Sequence, residues 1–273
     1  MNVFELNPDY IAVKEAYIGT IHDKFEKGEL YLSYSSLSNF RKSPRHFIDY
    51  KLFGNDDTDS ILLGKVLHCL VLEPQNFSHS YCVAPECDRR TKEGKAAYAK
   101  FLETARDKTV LSNNIYNNAV DMAISVLSNE QSKVLLDNAI WKEKKIDWEM
   151  YGFKFLSFLD VEGEDYVVDI KSMPDADPKK VQREILNRCL WLQGGMYLEA
   201  IKSQKDYYII AVDKKGNVSV HLLMASLIEY GKSEFKRLCS DFEDCLSTNS
   251  WLKSYEYRSH NGIYPIDKPN FNI

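Results

Sequence analysis

In the stretch DYVVDIKSMPDADPKK, residues 165–180, Asp169 and Lys171 stand two residues apart in a run of strand formers, Val167, Val168 and Ile170. On a strand that spacing puts a carboxylate and an ammonium on one face. They are either an exposed ion pair or two groups that share a ligand. Spacing alone cannot decide, because an acidic residue two before a lysine occurs seven times: Asp49/Lys51, Glu93/Lys95, Glu143/Lys145, Asp169/Lys171, Asp177/Lys179, Asp213/Lys215 and Glu234/Lys236. Exposed pairs of this kind contribute only about 0–1 kcal/mol. What sets 169/171 apart is its surroundings. Asp160 lies nine residues upstream, across the turn VEGED. Two carboxylates on neighbouring strands repel unless a cation lies between them, and a hard divalent ion is the natural partner. The simpler alternative makes Asp160 the first residue of the turn. Asp169 also lies inside its apolar strand, whereas Asp213 falls where a strand runs into the turn DKKGN, an ordinary place for solvated charge.

Two further pairs accompany these residues. Gln193 and Tyr197, in WLQGGMYLEA, are four apart and share a helical face. They flank Gly194 and Gly195, which permit close approach of a backbone or ligand; seen alone, a buried tyrosine with a hydrogen-bonded glutamine explains them equally well. His68 follows Gly64 by four residues in GKVLHCLVLEP, an apolar helix where a lone histidine is ordinarily a satisfied core residue. Read in order, however, the four signals (Gly-x-x-x-His, Asp, Asp-x-Lys, Gln-x-x-x-Tyr) form a set.

The elements that must position them follow from periodicity and punctuation. Residues 9–27 read as a helix with Ile11, Ile18, Ile21 and Phe25 near one face, ending at Gly28. YLSYSSLSNFRKSPRHFIDYK gives a short strand, a serine cap and a helix interrupted at Pro44. Residues 58–73 form an apolar helix closed by Pro74, DRRTKEGK is a basic loop feeding an amphipathic helix, and 113–138 hold one or two helices. Near Ile140 the character changes to a hairpin turning at Tyr151-Gly152, then the strand YVVDIK, then a long helix from about Asp177 to Lys202. A second hairpin turns at Gly216-Asn217, and a helix from about Ala225 to Leu246 precedes an irregular tail. Helices followed by strands interleaved with helices imply an α/β fold with a mixed central sheet: one domain over 1–273, mainly helical to about 138 and sheet-containing from about 140.

Composition bounds the possibilities. The chain has 273 residues, 44% hydrophobic and 27% charged, as ordinary globular proteins do. No apolar run approaches the roughly 20 residues that span a bilayer, and MNVFELNPDY lacks a basic-then-apolar signal pattern, so a cytoplasmic address is expected. The six cysteines are scattered without a C-x-x-C pair, so neither zinc nor an iron–sulfur cluster is expected. A net charge of −5 argues against bulk electrostatic capture of nucleic acid but leaves room for a local basic patch.

The ordered set resembles the PD-(D/E)xK nuclease superfamily, its RecB-like branch, and within that the RecE-type (exonuclease VIII-like) exonucleases of phages and prophages. YLSYSSLSNFRKSPRHF, LLGKVLHCLVLEP, DRRTKEGK, VVDIKSMPDADP and WLQGGMYLEA carry the likeness, spanning roughly residues 30–200. One departure is that Leu159-Asp160 stands where the family pattern has Pro-Asp. The resemblance implies a restriction-endonuclease-like core and a Mg²⁺-dependent exodeoxyribonuclease, with Mn²⁺ a possible substitute. It would degrade one strand of linear duplex DNA from the 5′ end and leave a 3′ overhang. It also implies a bacterial or phage-infected cell, a homo-oligomeric ring around DNA and a RecT-like single-strand annealing partner. On this reading Asp160, Asp169, the Ile170 carbonyl and the His68 imidazole are metal ligands, Lys171 serves the water and the phosphate, and Gln193 and Tyr197 position them. Glu143 and Glu149 compete for a further acidic place. Arg89, Arg90 and Lys95 are expected to grip DNA phosphates, with Ser35, Ser36 and Arg45 as a second polar cluster for a 5′-phosphate. Lys179, Lys180, Arg183 and Arg188 either track the backbone or form a plain charged helix face. The rivals are another RecB-like nuclease, such as an endonuclease or repair component, and a catalytically silent DNA-binding protein of the same fold.

Overall fold

Side-chain acceptors mark where most of the helices begin. In the computed structural model, which describes residues 8–54, 58–259 and 262–264, a helix α1 (Pro8–Glu26) leads to a short strand β1 (Tyr31–Leu32). Ser33 and Ser36 then form a reciprocal capping box that starts α2 (Tyr34–Lys42). Ser43 accepts from the His46 amide and, with Pro44 in the first turn, starts α3 (Pro44–Phe53). Thr58 caps α4 (Asp59–Leu72). A short α5 (Phe77–Ser80), β2 (Tyr81–Val83), α6 (Lys92–Thr104), β3 (Thr109–Leu111), α7 (Asn113–Ser128) and α8 (Glu130–Asp137) follow. The sheet strands are β4 (Trp141–Met150), β5 (Phe153–Glu162), β6 (Tyr166–Ser172), β7 (Asp206–Val212) and β8 (Val218–Leu223). Between β6 and β7 lie α9 (Pro178–Asn187) and α10 (Leu190–Ala200), and α11 (Ala225–Thr248) comes last. This is the mixed α/β architecture that the sequence pattern implies.

The chain divides into two compact units. One holds the described residues up to 54, residues 147–157 and those from 232 onward. Its core is aromatic: Phe40, Phe47, Phe155, Phe235, Phe242 and Trp251 are all fully buried. β1 runs parallel to the start of β5, Tyr31 opposite Lys154 and Leu32 opposite Phe155. The β4–β5 hairpin turns at Tyr151 (φ 51°) and Gly152 (φ 80°), the double positive φ that a two-residue turn needs to match strand twist. On α1, Ile18 and Ile21 are buried as expected, but Phe25 remains 39% exposed. The buried polar member of that helix is Lys14, which pairs with Asp49 and lies over the Tyr10 ring.

The second unit, residues 58–146 and 158–231, carries the candidate site. Its sheet runs β5–β6–β7–β8: β6 is antiparallel to β5, parallel to β7, and β7 is antiparallel to β8. Val161, Val168, Ile170, Ile210 and Val212 pack with Leu63, Val66 and Leu67 of α4 and Ala119, Met122 and Val126 of α7. The expected long helix over 177–202 is two helices, broken where Cys189 takes a left-handed conformation (φ 57°). The halves bury different surfaces. α9 covers one stripe, Val181 and Ile185, whereas α10 is buried all the way from Leu190 to Leu198. Gly231 seats α11 against α10, since a Cβ there would stand 2.2 Å from the Trp191 carbonyl oxygen. Gly194 faces Tyr207 and Ile228. The glycine approach foreseen from the sequence therefore serves the packing of helices in this unit.

Candidate active site

On β6, alternation sends Val168 and Ile170 into the α4–α7 core and turns Asp169 and Lys171 to the other face. There Asp169, only 1% exposed, accepts from Lys171 Nζ (2.7 Å) and from Gln193 Nε2 of α10 (2.8 Å), both at Oδ1. β5 and β6 pair through Val161 opposite Val168. One step further, the Asp160 side chain replaces a ladder partner: its Oδ2 accepts from the Ile170 amide at 2.7 Å. Asp160 is thus a buried carboxylate anchored to the next strand, and is not a solvated turn residue.

His68, on α4, approaches from the opposite wall. Its Nε2 lies 2.6 Å from the Ile170 carbonyl oxygen. A carbonyl only accepts, so Nε2 carries the proton and donates. That leaves Nδ1 facing Asp160 Oδ1 at 3.6 Å and Glu143 Oε1 at 3.8 Å. One ligand atom each from His68, Glu143 and Asp160 lies within 4.8 Å of the others. Three acceptors turned toward one point repel one another unless a cation or a proton sits among them. Burial pulls the imidazole down, but the Asp160 charge and the bond to Glu143 outweigh it and lift it to about 9. Burial pushes the Asp169 carboxyl up while Lys171 pulls it back and Asp160 pushes it further, to about 6. Burial lowers the Lys171 ammonium, yet Asp169 and Asp160 more than offset this and hold it above the usual lysine range.

Two carboxylates and an imidazole converging in this way fit a divalent cation, with the imidazole suiting Mn²⁺ as well as Mg²⁺. A second observation agrees: Asp169 Oδ2 and Gln193 Oε1 are buried without a hydrogen-bond partner in the protein, as a carboxylate oxygen reserved for an ion would be. Ile170, expected to offer its carbonyl, gives it to His68 in this arrangement.

Glu143 separates itself from Glu149 through backbone strain. It has φ 50° inside β4, a conformation that costs a non-glycine residue about 1–3 kcal/mol. From Lys144 on, the even positions of β4 face inward and 145, 147 and 149 are exposed. A regular strand would place Glu143 with that exposed set. The positive φ breaks the alternation and turns Glu143 toward His68. Glu149 lies in the first unit, exposed, 3.8 Å from Lys154.

Of these groups His68, Glu143, Ile170 and Lys171 line a cleft of about 1270 Å³, with Asp160 and Asp169 buried behind them. One wall is α4, with Ser60, Gly64, Lys65 and His68; the other is Ile170 to Pro174 with Arg188, Lys214 and Lys215. A Cβ on Gly64 would meet nothing within 4 Å, so packing does not require the glycine; its place is on the cleft surface, one turn before His68. Tyr197 is buried one turn beyond Gln193. The cationic lining of Lys65, Arg188, Lys214 and Lys215 is largely invisible in the sequence, where only Arg188 stands out among these as a backbone-tracking candidate.

Other candidate residues lie elsewhere. Arg89 stacks over Tyr98 at 4.8 Å, Arg90 is held by Asp88 at 3.0 Å, and Lys95 is exposed on α6; none lines the cleft. A Cβ on Gly94 would stand 2.0 Å from the Asp88 carbonyl oxygen, so that glycine closes its own turn. Ser35, Ser36 and Arg45 belong to the first unit. The Ser36 hydroxyl is committed to the capping box, Ser35 is exposed, and Arg45 lies 4.0 Å from Asp49. Asp213 is not solvated. It is 2% exposed and accepts from the amides of Ala176, Lys215 and Asn217 and from the Asn217 side chain, tying the β7–β8 turn to the loop after β6.

The family model described as a PDDEXK-like domain of unknown function (DUF3799) matches residues 33–257. Among curated proteins none matches. A solved structure titled "putative exonuclease", from Eubacterium rectale, aligns with TM-score 0.56 at 13% identity, covering 90% of this chain and 92% of that one. A second, titled SSO0001, aligns with TM-score 0.27 at 13% identity over 64% of this chain and 85% of that one, an overlap too slight to bear on the fold. Among the described residues, no helix is long and apolar enough to cross a membrane.

Proposed function

The chain belongs to the PDDEXK-like domain family DUF3799, and from that premise we propose that it is a divalent-metal-dependent nuclease acting on linear duplex DNA. The observation that carries this reading is the convergence of His68, Glu143 and Asp160 beside the buried Asp169–Lys171–Gln193 cluster, with His68, Glu143 and Lys171 lining one cleft. A divalent cation held by His68, Glu143, Asp160 and the unpartnered oxygen of Asp169 would supply an activated water and relieve charge on the phosphoryl oxygens.

The protein's own residues then have definite tasks. Lys171 lines the cleft and stays protonated, so it donates to a phosphoryl oxygen or to the attacking water. Gln193 and Lys171 share Asp169 Oδ1 and so fix the direction of its other oxygen. The Ile170 amide holds Asp160, and the Ile170 carbonyl sets the His68 tautomer, leaving the Nδ1 lone pair toward the centre. Tyr197 lies one turn beyond Gln193 on the same helix face.

The finer reading follows the resemblance to RecE-type exonucleases: Mg²⁺ as the physiological ion, hydrolysis from the 5′ end, and a 3′ overhang handed to a single-strand annealing protein. A homo-oligomeric ring around DNA would reconcile processivity with a net charge of −5, because only the inner wall need be positive. Duplexes labelled separately at 5′ and 3′ ends, together with a covalently closed circle, test it. The proposed enzyme releases 5′-terminal label first and leaves the circle intact. Nicking of the circle would instead identify an endonuclease on the same scaffold.

A further inference from the structure

We infer that the β7–β8 turn is a phosphate-binding arm of the cleft, with Lys214 and Lys215 each holding a polynucleotide phosphate other than the one at the metal centre. The inference rests on the nuclease reading above. The turn has the sequence Asp213-Lys214-Lys215-Gly216-Asn217. A turn of this composition would ordinarily pair its own charges in solvent. Here the aspartate is withdrawn. Asp213 is buried beneath the turn, with Oδ1 accepting from the Lys215 and Asn217 amides and Oδ2 from the Ala176 amide and the Asn217 side chain. All four bonds hold backbone or asparagine, and none is to a lysine ammonium.

The same bonds make the turn rigid. They fix it both to itself and to the loop that follows β6, while Gly216 takes the positive φ (80°) that closes it. Both lysines are exposed, and both line the cleft on the same wall as Lys171 and Arg188. Arg188 closes α9, with its Nε held by Glu184 at 2.7 Å, and its charge is felt at Lys171. Asp175 is a nearby acid influenced by Lys215, but its carboxylate is engaged by Lys180 and the Asp177 amide. Four cations on one wall of a cleft repel one another, and bound phosphates relieve that repulsion. The centre at His68, Glu143 and Asp160 is acidic and suits a cation; the arm is basic and suits an anion. A substrate carrying phosphates at regular intervals satisfies both.

The test is the salt dependence of duplex binding, measured by fluorescence anisotropy in EDTA so that no cleavage occurs. Each phosphate neutralised on B-DNA contributes about 0.9 to the slope of log K against log salt. Lys214→Gln/Lys215→Gln should therefore flatten the slope by about 1.8, so that its affinity deficit relative to wild type shrinks about 12-fold between 50 and 200 mM salt. In Mg²⁺ the same variant should raise KM and leave kcat nearly unchanged. Lys133→Gln/Lys236→Gln removes equal charge from exposed positions outside the cleft lining and should leave the slope as it is. The inference is overturned if the turn variant keeps the wild-type slope, or if the control pair flattens it equally. Either result with a wild type that still cuts DNA leaves the nuclease reading standing. A wild type that neither binds nor cuts removes both.

Discussion

Gln193→Leu gives the sharpest test of how the site is held. The glutamine is buried and donates to Asp169 Oδ1 at 2.8 Å, beside the 2.7 Å bond from Lys171. Leucine has nearly the same volume, so the packing of α10 should survive, but one of the two donors to a buried carboxylate is lost. A hydrogen bond to a charged group contributes about 1.5–3 kcal/mol, and each 1.36 kcal/mol lost at the transition state is tenfold in rate. The expected fall in kcat/KM is therefore about 10- to 150-fold. Cleavage of an end-labelled duplex should be followed across a Mg²⁺ titration. If the bond aims the free oxygen of Asp169, the half-saturating metal concentration rises as well, which loss of packing alone would not produce. Thermal melting checks that the fold is intact. A folded variant within twofold of wild type, with an unchanged metal requirement, would refute the positioning role.

Other outcomes follow from the same geometry. Asp213→Asn should lower stability by about 1–3 kcal/mol at pH 7, because a buried acceptor of several bonds becomes partly a donor. Burial raises the Asp213 carboxyl, but the bonds from Asn217, Ala176 and Lys215 outweigh this and hold it below its usual value. That stability is complete above the unfolded value of about 3.9 and fades as pH falls through the folded one, so urea titrations should converge below about pH 4. Glu143→Gly should relieve the positive φ and raise stability by about 1 kcal/mol, yet weaken divalent binding in calorimetry, while Glu149→Gln changes neither. Gly231→Ala should destabilise by at least about 1–3 kcal/mol, its Cβ meeting the Trp191 carbonyl, whereas Gly64→Ala, which meets nothing, should stabilise α4 by about 0.5–1 kcal/mol in denaturant titrations.

Much of the site was legible because it depends on spacing. Two residues along a strand put Asp169 and Lys171 on one face, and the VEGED turn returned Asp160 to the neighbouring strand. Four along a helix aligned Gln193 with Tyr197 and His68 with Gly64. A serine cap and the Tyr151-Gly152 hairpin were legible for the same local reason, whereas the interruption at Pro44 is a new helix start capped by Ser43. What escaped depends on breaks in periodicity and on tertiary contacts. The positive φ that turns Glu143 inward leaves no trace in composition, so the sequence left Glu143 and Glu149 competing for one place. The left-handed Cys189 splits one apparent helix into two because α10 must be buried all round. Asp213 looked solvated from its turn sequence, yet the Ala176 amide 37 residues away draws it inside. Ser36 looked available for a phosphate, but its hydroxyl completes a cap.

The central claim is that Asp169 and Lys171 serve a metal-dependent phosphodiester hydrolysis. Its most direct test compares wild type, Asp169→Asn and Lys171→Ala on end-labelled linear duplex with Mg²⁺, with Mn²⁺ and with EDTA. Wild type should degrade the duplex with either ion and stop in EDTA, and both variants should be slower by about a hundredfold or more while melting as folded proteins. A wild type inert with both ions, or a folded Lys171→Ala as active as wild type, would contradict the account.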